Sequence, residues 1–127
     1  IMSTLKVNTI QDASGNNSTT ASQIASGRIR AWVEFNGSTD AIRESFNISS
    51  ISDEGTSEYD INFSTPFSNA DYVVFGSTVG GNGGYHACIT SDGTDKTAGT
   101  APIRIRHIEE HVNATEVDAL GVAFIGS

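Results

Sequence analysis

The segment His107-Ile108-Glu109-Glu110-His111 has the H-x-x-E-H spacing that can carry hydrolytic zinc chemistry. That chemistry needs both imidazoles on one helix face, a third ligand from another element, and the glutamate beside a metal-bound water. The surroundings do not supply this. Ile103-Arg104-Ile105-Arg106-His107-Ile108 alternates with the period of a strand, and Val112-Asn113 follows without helical amphipathicity. The one other histidine is His86, and 127 residues is short for a peptidase cleft. The segment reads as solvent-facing residues at a strand end, with a small metallohydrolase using His107, Glu110 and His111 as the remote alternative.

A nucleophile is no better supported. His86 and Cys88 stand two apart in Tyr85-His86-Ala87-Cys88-Ile89-Thr90, within reach of a Cys–His pair on one strand face. A free cysteine in a strand more commonly packs as a small apolar residue. The carboxylate pairs Asp53-Glu54 and Glu109-Glu110 lie in turn-like surroundings, where adjacent carboxylates are solvated. No Gly-x-Ser-x-Gly elbow, phosphate loop or dinucleotide fingerprint occurs, and the Gly80–Gly84 run lacks the Lys-Ser/Thr and following helix of a phosphate cradle. No catalytic residue, metal ligand or cofactor is expected.

Recognition is the remaining chemistry. Two polar, glycine-rich loops, Gly80–Gly84 with the Tyr85-His86 that follows and Ser91–Ala101, offer Asn82, Tyr85, His86, Asp92 and Asp95. Tyrosine with Asn and Asp suits sugar hydroxyls, and loops at the end of a rigid sandwich are a usual site of binding. Their plain alternative is polar surface that keeps the chain soluble.

The elements that must hold these loops are strands. Ser45–Phe63 is a hairpin pattern, Phe46 and Ile48 on one arm, Tyr59, Ile61 and Phe63 on the other, with Ser52–Ser57 as the turn. Ile29–Phe35 sets Ile29, Ala31, Val33 and Phe35 on one face and Arg30, Trp32 and Glu34 on the other, before the turn dipeptide Asn36-Gly37. Asp71–Val79 is apolar on both faces, predicting a central strand covered on both sides. Tyr85–Thr90, Pro102–Ile108 and Ala119–Ile125 add three more, the last nearly all apolar and therefore expected inside a sheet with an ordered chain end. Seven or eight short strands at this spacing predict an all-β antiparallel sandwich or jelly roll spanning 28–127.

Composition agrees. The chain has 16 Ser, 13 Thr, 9 Asn and 13 Gly against two Leu and two Lys, so turn formers abound and helix formers are scarce. A net charge of −8 without any Lys/Arg cluster argues against nucleic acid. The single Cys88 leaves no internal disulfide. No apolar run reaches membrane length, and the first residues have neither a basic nor an apolar signal region, so neither membrane insertion nor export is expected.

Residues 1–27 stand apart as an N-terminal arm. Leu5, Val7 and Ile10 make a short strand-like pattern, Asp12–Ser18 a turn, and Thr20–Ser26 about two helical turns that Thr19 or Thr20 caps and Gly27 ends. With Leu5, Val7, Ile10 and Ile24 as its sizeable apolar groups, the arm cannot fold alone. It must lie on the main domain or against another subunit, and Trp32 is expected in the core or in a subunit contact.

The words Ser3-Thr-Leu-Lys-Val-Asn-Thr-Ile-Gln-Asp-Ala-Ser-Gly-Asn-Asn17, Arg28-x-x-Ala-Trp-Val-x-Phe-Asn-Gly37, Ala41-Ile-Arg-x-Ser-Phe-Asn-Ile-Ser-Ser-Ile-Ser-Asp-x-Gly55 and Asp60-Ile-Asn-Phe63 together resemble virion proteins of tailed phages, especially marine cyanophages, of the tail-fibre and tail-fibre-like kind. The resemblance covers about the first half of the chain. It implies a non-enzymatic, β-structured, homotrimeric virion component, made in the host cytoplasm, that contacts other tail or capsid proteins and a host-surface glycan or outer-membrane component. Leu5, Val7, Ile10, Ile24 and Trp32 would then serve oligomerisation, with arms packing on one another or on neighbouring sandwiches. A capsid head fibre, knob or decoration protein without receptor binding is the alternative within the same kind of virion.

Overall fold

A computed structural model of the chain describes residues 2–79, 87–91, 96–107 and 119–126. The arm forms β1 (Thr9–Ile10), β2 (Thr19–Thr20) and the helix α1 (Ala21–Gly27), with β1 and β2 antiparallel. The connecting turn is held by Asp12, whose Oδ1 accepts from the Ser14 and Asn16 amides while Oδ2 accepts from Asn17 Nδ2. The helix starts on a capping box: Thr20 Oγ1 accepts from the Gln23 amide and Gln23 Oε1 from the Thr20 amide. It ends at Gly27, where the sequence places its stop, and Arg28 is already extended. None of its residues is buried.

Eight strands follow: β3 (Ile29–Phe35), β4 (Ile42–Phe46), β5 (Ile48–Gly55), β6 (Glu58–Phe63), β7 (Val73–Val79), β8 (Ala87–Ser91), β9 (Thr100–His107) and β10 (Ala119–Ile125). They form two antiparallel four-stranded sheets, ordered β4-β3-β10-β7 and β5-β6-β9-β8. The fold is all-β, an antiparallel sandwich. Its core is one layer of side chains from both inner faces: Ala31, Val33, Phe35, Leu120, Val122 and Phe124 against Tyr59, Ile61, Phe63, Ala101, Ile103 and Ile105. Alternation along each strand delivers these residues to the same side, as the period of two requires.

Aromatic rings bridge the layers. Phe35 meets Tyr59 edge to face at 5.1 Å, and Phe63 meets Phe124 likewise at 5.0 Å. Phe67 and Tyr72, from the segment joining β6 to β7, close that end of the core against Phe63. Two buried phenols keep a polar partner: Tyr59 donates to the Gly37 carbonyl at 2.8 Å and Tyr72 to the Thr100 carbonyl at 2.9 Å. Burial pushes the Tyr72 phenol far above its ordinary range. Gly126 sits so close that a Cβ there would come within 2.7 Å of the Tyr72 Cβ.

Two expectations are corrected here. The Ser45–Phe63 hairpin is really β5–β6 alone, with a two-residue turn at Thr56-Ser57. Phe46 and Ile48 do not share a face, because Asn47 adopts φ +59° and sends the chain from one sheet to the other. Phe46 ends β4 exposed, whereas Ile48 packs on the core. In addition, β7 is an edge strand of its sheet, and Val73 and Phe75 on its outer face are open to solvent. The central strands are β3 and β10.

Candidate functional site

The five residues expected to bind a receptor, Asn82, Tyr85, His86, Asp92 and Asp95, all lie outside the described residues. What is described is where their segments attach. Residues 80–86 run from the end of β7 to the start of β8, and residues 92–95 follow the end of β8. The two attachment points on β8 are four residues apart, about 13 Å along a strand. The second segment is tied down at its base: Lys96 Nζ donates to the Tyr72 carbonyl at 2.9 Å and lies 4.6 Å over the Tyr72 ring, and the Phe67 amide donates to the Ala98 carbonyl. Residues 96–99 therefore serve the fold.

Of the H-x-x-E-H segment, His107 is the last residue of β9, opposite Ala87; residues 108–111 lie outside the described residues. The backbone at the motif's first position is strand. Cys88 is in β8 opposite Arg106, and its proposed neighbour His86 is outside the description. Among the described residues no three His, Cys, Asp or Glu side chains converge as a metal site, and no helix is long and apolar enough to cross a membrane.

The expected oligomerisation residues lie in two places, Leu5, Val7, Ile10 and Ile24 on the arm and Trp32 on β3. Leu5 is 83% exposed, and Val7, Ile10 and Ile24 are exposed too. Trp32 is not in the core: it is half-buried on the outer face of the β4-β3-β10-β7 sheet, since its neighbours Ala31 and Val33 take the inner side.

Cross-strand register surrounds Trp32 with residues that sequence reasoning did not assign to it. Trp32 pairs with Phe46 on one side and Ala123 on the other, and Ala123 pairs with Phe75. The row Phe46-Trp32-Ala123-Phe75 thus crosses all four strands. A second row, Ile29-Ile125-Val73, lies beside it. Phe46 is 56%, Phe75 45% and Val73 61% exposed. Because β10 presents only Gly121 and Ala123 between the walls of Trp32 and Phe75, the face is hollowed into a groove of about 820 Å³.

The outer face of the other sheet is different in kind. There Glu58 pairs with Arg104 at 3.7 Å, and Asn62 donates to Ser50 Oγ and accepts from Thr100 Oγ1. Half-buried antiparallel sheets ordinarily turn such polar side chains to water. One face of this sandwich follows that rule; on the other an apolar stretch around Trp32 interrupts it, with Glu34 and Ser77 also lining the groove.

Fold and surface together define a β-sandwich that, among the described residues, leaves an apolar stretch of one sheet face and an apolar arm exposed. Comparison with protein-family models, with curated proteins and with solved structures yields no match.

Proposed function

We propose that the chain is a non-enzymatic virion protein of a tailed phage, a homotrimeric tail-fibre or fibre-tip module that attaches the particle to its host. What supports this reading is the series of sequence words that resemble such proteins, which runs through the arm and through β3 to β6. The uncovered arm and sheet face support it, because a subunit built for assembly need not bury all its apolar surface alone. Weak contacts to a surface glycan or outer-membrane component, repeated on three subunits, add up to firm attachment without a deep pocket.

The test is adsorption of the purified chain to cyanobacterial cells, the hosts that the resemblance indicates. Co-sedimentation with cells is expected, and Tyr85→Ala should reduce it several-fold while leaving the assembled mass unchanged. Adsorption untouched by this change removes the Tyr85 loop from the reading, and no adsorption at all removes attachment. An antibody label on the head instead of the tail would assign the chain to the capsid as a fibre, knob or decoration protein.

A further inference from the structure

We infer that the hollowed outer face of the β4-β3-β10-β7 sheet is the docking surface for the N-terminal arm of a second copy of this chain. The inference rests on the proposed self-association and names the surfaces that perform it.

Three observations select this occupant. The first is that the arm is apolar and idle. Met2, Leu5, Val7, Ile10 and Ile24 are all exposed, although the arm has its own strand pair, Asp12-centred turn and capped helix. It is ordered locally but buries nothing, so its apolar side chains can gain burial only from another surface.

The second is charge. Residues 1–27 hold one lysine and one aspartate, so the whole net charge of −8 belongs to the sandwich. Two sandwiches meeting face to face would bring like charges together, whereas a neutral arm meets no such repulsion. Shape agrees with charge: a groove floored by Gly121 and Ala123 receives projecting side chains such as Leu5 and Val7.

The third is the join. Only Arg28, extended at φ −83° and ψ 148°, separates α1 from β3. The helix thus leads into β3 without a turn, and on this path Leu5, Val7, Ile10 and Ile24 stay exposed instead of covering Trp32 of their own chain. A partner's arm is not tied to this path. Donating an arm and receiving one use different surfaces, so the interface is heterologous and closes when every copy does both.

The experiment uses two altered chains. Ala123→Arg places a charge on the groove floor and keeps the arm; deletion of residues 2–27 removes the arm and keeps the groove, and since all core residues lie between Ala31 and Phe124 the sandwich survives it. Phe75→Glu, at an exposed edge-strand position, repeats the groove test should Ala123→Arg melt early. Each altered chain alone is expected at single-chain mass by native mass spectrometry, and a mixture of the two should form a one-to-one complex, intact arm on intact groove. If the arm-deleted chain still self-associates, or the groove variants still assemble like the parent, or the mixture stays apart, the docking surface is wrong while self-association stands. A parent chain that is itself monomeric overturns both.

Discussion

Removing residues 120–127 leaves a chain that no longer melts cooperatively. The strand β10 lies between β3 and β7 and pairs with both along its length, so its loss opens a gap in the middle of a sheet. It also removes Leu120, Val122 and Phe124, all buried, the last touching Phe63 and Tyr72. At roughly 1.5–3 kcal/mol for each such side chain, the loss rivals the ~5–15 kcal/mol that holds a typical domain. Phe124→Ala alone is expected to cost about 3–5 kcal/mol. Thermal unfolding followed by circular dichroism checks both, and a soluble truncated protein with a sharp transition would refute the strand order.

The largest effect expected from a surface-lying residue is at Asn47. Its Nδ2 donates to the carbonyls of Arg30 and Thr65 at 3.2 and 3.0 Å, its Oδ1 accepts from the Thr65 amide at 2.7 Å, and its own carbonyl accepts from the Ser64 amide. These bonds fasten the crossover between sheets to the start of β3 and to the exit from β6. The residue also sits at φ +59°, which asparagine adopts at lower cost than alanine. Asn47→Ala forfeits three side-chain bonds at about 1 kcal/mol each and adds backbone strain of about 1–2 kcal/mol, for ~3–5 kcal/mol in all. Asn47→Gly relieves the strain without restoring the bonds and should fall between. Equal melting of parent and Asn47→Ala in a urea titration would show that the crossover is held some other way.

The sequence was legible where the period of two is unbroken. That period breaks at the start of β3: an irregularity opposite Phe124/Ile125 pairs Ile29 with Ile125, so Ile29 is exposed on the outer face and not beside Ala31, Val33 and Phe35 as its spacing implies. Ile29–Phe35 and Ala119–Ile125 are strands with the expected bounds, and the Thr20 cap and Gly27 stop frame the helix as their chemistry dictates. It misled where one residue resets the period. Phe46 and Ile48 are two apart and look like one face, but a left-handed residue between them sends each to a different sheet. Asparagine, the side chain that most readily enters that conformation, was the available signal.

Apolar residues on both faces of Asp71–Val79 likewise implied cover on both sides, and the described residues provide it on one. Trp32 belongs with this: its partner Phe46 and the Phe75 that lies beyond Ala123 are 29 residues apart in sequence, so only strand pairing brings them into one row. The uncovered face is thus what a local pattern overstated for one chain and what an assembly would make true.

The most direct measurement is the mass of the unaltered chain through a dilution series by light scattering. The account predicts a discrete multiple of 13.4 kDa, three for a trimer, that persists into the low micromolar range. A mass of 13.4 kDa at every concentration would contradict it.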